Sequence, residues 1–272
     1  MAFVNYTTNN LAVKVVYYGP GLSGKTTNLR YIYFKLDASS RGDLVCLETD
    51  SERTFFFDLL PIKAGLIGDF KVHFQLLTVP GQVFYEASRK SVLKGADGII
   101  FVADSQIPLL DANLESFDGL RRNLLEQDVD LNQIPLVFQY NKRDLEHLIP
   151  VETFNNLLNP RRLPSVEASA LNGWGVFETL REIAKLTIPV VRERVLGDKR
   201  KPDQKEIAEK RMDEYIEREA ERRREAKDAK VDVEFGAPET EAPIKVNKIK
   251  IKHPDEIEKE IERLAREFTS KK

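Results

Sequence analysis

A chain of 272 residues, 42% hydrophobic and 32% charged with a formal net charge of -2, can hold one large domain plus an appendage, or two small domains. That charge balance predicts no strong pull toward nucleic acid or an anionic membrane. The single cysteine, Cys46, excludes an internal disulfide framework and fits a reducing cytoplasm, while His73, His147 and His253 show no metal-ligand spacing.

In chain order, the start Met1-Ala2-Phe3-Val4-Asn5 lacks the basic and long apolar regions of a signal peptide. Strand-like runs follow at Val13–Tyr17, Leu44–Leu47, Val72–Leu77, Ile99–Ala103, Leu136–Gln139 and Val166–Ala168. Between them, helical patterns fall near Thr26–Phe34, Ala112–Glu126, Val151–Leu158 and Val176–Leu186. Apolar strands alternating with amphipathic helices predict an α/β fold, a mainly parallel sheet covered on both faces. Six strands are expected, with the one near Leu44–Leu47 at an edge and antiparallel.

Two units are expected: residues 1–195 as the α/β domain and 196–272 as a charged, largely helical extension with a linker near 231–252. Residues 199–230 are dense in Lys, Arg, Glu and Asp, the pattern of a solvated helix with charge pairs along it. Lys245–Lys252 is basic and extended. Pro254 then opens a short helix whose Ile257, Ile261, Leu264 and Phe268 share one face. A lone helix of that length is marginal in water, so the stripe calls for a surface to pack on, either a partner's or the domain's own. A passive, solubilising extension is the competing reading. No apolar run approaches the roughly 20 residues that span a bilayer. Ala2 and the end Thr269-Ser270-Lys271-Lys272 offer no myristoylation or prenylation signal. Recruitment to a membrane or complex would then go through protein contacts.

Gly19-Pro-Gly-Leu-Ser-Gly-Lys-Thr26 fits G-x-x-x-x-G-K-[ST] between a strand and a helix. Glycines let such a loop turn its amides toward phosphate, and the helix N-terminus adds a favourable dipole. Gly19, Gly21, Leu22, Ser23, Gly24, Lys25, Thr26 and Thr27 form this candidate cradle. Lys25 would neutralise phosphates, and the Thr26 hydroxyl would meet Mg²⁺. Asn141-Lys142-Arg143-Asp144 follows a strand, the N-K-x-D pattern in which a carboxylate accepts from both N1–H and the exocyclic amine of guanine. Glu167-Ala168-Ser169-Ala170, with Leu171 next, ends the following short strand. There it either approaches the guanine oxygen or simply caps the next helix.

With these motifs in order, the chain resembles the Ras superfamily, and in detail the MglA-type bacterial GTPases of gliding motility and cell polarity. The likeness rests on Tyr18–Asn28, Thr78–Tyr85, Val102–Gln106 and Tyr140–Asp144. It implies a P-loop GTPase fold over residues 1–195, GTP/GDP with Mg²⁺, and slow hydrolysis of GTP to GDP and phosphate. A roadblock-domain activating partner of the MglB type is also implied, with effectors meeting the switch regions. Where most Ras-like proteins carry an acid, this chain reads Thr78-Val-Pro-Gly81-Gln82. Gly81 would still offer an amide to the γ-phosphate and Gln82 would still orient water. A hydroxyl at Thr78 is a weaker support for Mg²⁺ than a carboxylate, which leaves a GTP-binding scaffold with little hydrolysis as the alternative. The resemblance favours Thr54 over Thr49 as the second metal and γ-phosphate sensor, and makes Arg53 an internal arginine finger. Arg53 reads otherwise as a surface loop arginine.

Overall fold

The computed structural model describes residues 3–5, 8–49, 56–80, 86–196, 247–251 and 256–270. Its strands are β1 (Phe3–Asn5), β2 (Asn10–Tyr18), β3 (Val45–Thr49), β4 (Phe56–Ile67), β5 (Phe70–Thr78), β6 (Gly98–Asp104), β7 (Leu136–Asn141), β8 (Ser165–Glu167) and β9 (Asn247–Ile251). The helices are α1 (Lys25–Lys35), α2 (Glu86–Leu93), α3 (Leu110–Leu125), α4 (Val151–Leu157), α5 (Val176–Leu196) and α6 (Glu256–Ser270). One sheet runs β8-β7-β6-β2-β5-β4-β3-β9, with β1 antiparallel beside the start of β2.

Every residue of β2 and β6 is buried, as expected of parallel strands covered on both faces. Alternate side chains divide the core. Val13, Val15 and Tyr17 meet Leu29 and Ile32 of α1 and Ile183 of α5. Val16 and Tyr18 meet Val92 of α2, Leu120 of α3 and Phe154 of α4 on the other face. The period of 2 in each strand thus selects which helix each residue meets.

Nine strands stand among the described residues where six were expected. The long strand β4 was hidden because Pro61 and the register shift between Lys63 and Gly65 interrupt its pattern, and proline argues against an interior strand. It also corrects the orientation expected near Leu44–Leu47. β3 pairs antiparallel with β4, β4 pairs antiparallel with β5, and so β4 is the reversed strand while β3 runs with the central ones. Nor is β3 an edge, because β9 pairs along it in parallel. Helix α2, eight residues long, carries too short an apolar stripe to stand out. Helix α5 passes Pro189 to reach Leu196, with Val191 still in the core. The charged run 199–230 lies outside the described residues.

Candidate nucleotide-binding site

Because β2, β5, β6, β7 and β8 are parallel, the segments leaving β2, β6, β7 and β8 converge on one edge of the sheet. That carboxyl edge is where open α/β sheets hold ligands. Residues Gly19–Gly24 form the turn from β2 into α1. Gly24 has φ 99°, and a Cβ there would lie 2.2 Å from Asn141 Nδ2, so conformation and close approach both require glycine. The ammonium of Lys25, 6% exposed, donates to the carbonyls of Gly19 at 2.9 Å and Pro20 at 2.5 Å and reaches Ser23 Oγ at 3.4 Å. Burial, and secondly the charge of Arg89, pushes its pKa down to about 7. Neutral carbonyls do not offset the desolvation of a buried cation, whereas a polyphosphate would.

Thr26 opens a second cluster, made of hard oxygens. Its Oγ1 donates to Asp58 Oδ2 at 2.6 Å, and Thr78 Oγ1 donates to the same oxygen at 3.2 Å. The Asp58 amide in turn donates to Thr78 Oγ1 at 2.9 Å. Pairing of β4 with β5 places Leu59 opposite Leu77, which brings Asp58 beside Thr78 at the strand ends. A carboxylate therefore stands next to the threonine that occupies the usual acidic position. Hydroxyl and carboxylate oxygens suit Mg²⁺, which takes one or two protein ligands and fills its octahedron with water and phosphate. Among the described residues no group of three or more His, Cys, Asp or Glu is arranged for a metal.

On the base side, Asn141 joins three segments. Its Nδ2 donates to the Ser23 carbonyl at 2.7 Å, and its Oδ1 accepts from the Ala170 amide at 2.8 Å. A single buried amide thus sets the phosphate loop, the end of β7 and the Ser169–Leu171 turn in fixed relation. Lys142 has φ 67° and its ammonium lies 2.6 Å from Asp104 Oδ2, while Asp104 also accepts from the Gln106 amide at 3.1 Å. Asp104, the last residue of β6, thereby ties Lys142 and the turn at Gln106 to the strand end.

No family model matches the chain. Over 188 residues it is 55% identical to the mutual gliding-motility protein MglA of Myxococcus xanthus (strain DK1622), covering 69% of this chain and 96% of that protein. The chain belongs to the MglA family of Ras-like GTPases.

In this MglA-type chain the structure brings Gly19–Thr27, Asn141–Asp144 and Ser169–Leu171 to the same edge. Ser23 and Lys25 are buried, Gly21, Thr26 and Thr27 are half-buried, and Leu22 is exposed at φ 60°. Asp144 and Leu171 are exposed while Ser169 and Ala170 are buried. Arg53, Thr54, Gly81 and Gln82 lie outside the described residues, as does Thr78's neighbourhood from 81 to 85. Sequence reading missed Asp58, although a lone acid inside the apolar run Phe55–Leu60 is a signal that could have found it. It also missed a buried clamp behind the loops. Asn28 and Gln139 exchange amide hydrogen bonds of 2.8 and 2.9 Å, and Gln139 Nε2 donates to Thr179 Oγ1 at 3.0 Å. This clamp fixes α1 and α5 against β7, so the start of the phosphate-facing helix is held to the strand that ends in Asn141.

Proposed function

We propose that this chain is a guanine-nucleotide switch that binds GTP and GDP with Mg²⁺ and hydrolyses GTP, with water as the nucleophile and GDP and phosphate as products. The observation that carries this reading is the Asn141 bridge. It couples a phosphate loop to an N-K-x-D strand end and to the Ser169–Leu171 turn, which places both motifs at one edge for a single nucleotide. Lys25 meets the phosphates, and Asp144 accepts from guanine, a pairing that adenine cannot offer. Thr26 and Asp58 would hold the Mg²⁺ directly or through water, with Thr78 steadying the Asp58 carboxylate. The metal, when bound, neutralises phosphate charge as the γ-phosphoryl leaves.

Within the same proposal, Gln82 orients the attacking water, Arg53 supplies an arginine finger, and Thr54 and Gly81 sense the γ-phosphate. The likeness to the Myxococcus gliding-motility protein supports a role in gliding motility, and we extend it to cell polarity. In this reading the partners are a roadblock-domain activating protein and effectors recruited through residues 50–55 and 81–85, and those contacts bring cytoplasmic protein to a pole. No helix among the described residues is long and apolar enough to cross a membrane. Fluorescent GDP titration and single-turnover phosphate release, each with and without a roadblock protein, test the proposal. Tight GTP binding with no phosphate release under either condition would instead establish a GTP-binding scaffold.

A further inference from the structure

The C-terminal elements β9 and α6 fold back onto the sheet. β9 lies along β3 in parallel register from Val45↔Asn247 to Thr49↔Ile251, which closes that edge to any other strand. At the start of the strand, Asn247 Nδ2 lies 3.5 Å from Asp43 Oδ2. Helix α6 then lies on the face that carries α2. Ile261, 4% exposed, joins the core cluster of Val45, Phe57 and Leu59, with Ile249 and Leu264 packed against it. Phe268 meets His73 edge-on, ring centroids 5.2 Å apart. Its ring fits over Gly42, where an added Cβ would lie 2.7 Å from both Phe268 Cδ2 and Pro61 Cγ.

The elements this segment grips are those that border the two nucleotide-sensing segments. β3 leads directly into 50–55, α2 directly follows 81–85, and β4 carries Asp58, which holds Thr26 of the phosphate loop. α6 touches both α2 and β4. A groove of about 500 Å³, open to solvent and lined by Gly42, Leu59, Pro61, Leu264 and Phe268, runs along this contact.

We propose that the β3 edge and the α2–β4 surface form a docking site occupied in cis by this chain's own Asn247–Ser270, and that this occupancy restrains the switch and slows nucleotide release. The restraint rests on reading 50–55 and 81–85 as nucleotide-sensing; the occupancy does not. β3 and α2 flank those two segments in the chain, so a strap paired with β3 and packed on α2 and β4 is coupled to them through their anchors. By linkage, whatever loosens the strap must also alter nucleotide affinity.

The test uses the full chain. Cys46 is its only cysteine and pairs in register with Lys248, within the reach of a disulfide. Lys248→Cys, oxidised, is expected to cross-link within one chain on a non-reducing gel, and to release fluorescent GDP about 5- to 10-fold more slowly than after reduction, the low end of such couplings. Ile261→Asp with Phe268→Asp, which ejects the helix, is expected to speed release by a similar factor. Cross-linking between two chains, or none, overturns occupancy in cis. Intramolecular cross-linking with identical release in all forms overturns the restraint. If no form binds guanine nucleotide while the intramolecular cross-link still forms, the switch reading fails and the restraint with it, while the docked strap stands.

Discussion

Asp58→Asn keeps the shape of the side chain and removes its charge, which isolates what the carboxylate contributes beside Thr26 and Thr78. In the structure Asp58 Oδ2 accepts from Thr26 at 2.6 Å and from Thr78 at 3.2 Å. An amide oxygen can still accept both bonds, so the fold should survive. What disappears is the negative charge facing the Thr26 hydroxyl, where Mg²⁺ is proposed to sit. Interactions that involve a charged group contribute about 1.5–3 kcal/mol, equivalent to about 10- to 100-fold in affinity. The midpoint Mg²⁺ concentration that slows fluorescent GDP release should therefore rise about 10- to 100-fold in the variant. Release measured in excess chelator should match the parent, because the metal no longer contributes in either protein. An unchanged Mg²⁺ midpoint would refute the reasoning and return the metal to Thr26 and the segment containing Thr54.

Asn141→Ala strands the buried Ser23 carbonyl and Ala170 amide; a loss of about 2–4 kcal/mol should lower the melting temperature by about 5–10 °C and weaken GDP binding, and unchanged values in both would dissolve the bridge. Gln82→Leu should retain GTP binding and abolish most hydrolysis, and Arg53→Ala should slow activated hydrolysis by about 10³-fold or more; normal phosphate release by the Arg53 variant with an activator would place the finger elsewhere. Burial, then the charges of Lys63 and Lys71, lowers the pKa of His73 to about 4. The unfolded chain then binds the extra proton first, so stability is present above about pH 6.5 and is lost as pH falls toward 4. His73→Gln should flatten that part of the melting-temperature profile, and an equally steep fall in the variant would assign the loss to other groups.

The phosphate loop and the N-K-x-D segment were legible because each is contiguous and each residue type has one chemical reason to be there. Asp58 was not, since it meets Thr26 and Thr78 across sequence separations of 32 and 20 residues. Only the pairing of β4 with β5 brings them together, and β4 itself is disguised by Pro61 and the bulge at Lys63. The Asn28–Gln139–Thr179 clamp escaped for the same reason, as three ordinary polar residues on three separate elements. At the far end of the chain, the apolar stripe of Ile257, Ile261, Leu264 and Phe268 left both a docked helix and a passive extension open. Nothing in the stripe said that its surface would be β4 and α2, or that the basic stretch before it would complete a sheet. The side of β3 that binds β9 is backbone, and backbone hydrogen-bonding capacity carries no sequence signature.

Base selectivity tests the central claim most directly, through equilibrium titration of the full-length protein with fluorescent GDP, ADP and XDP, repeated on Asp144→Asn. The account predicts GDP binding far tighter than ADP in the parent. In the variant, GDP should lose about 10- to 100-fold, the worth of a charged hydrogen bond, while XDP gains. Comparable affinity for GDP and ADP in the parent, or unchanged GDP affinity in the variant, would contradict it.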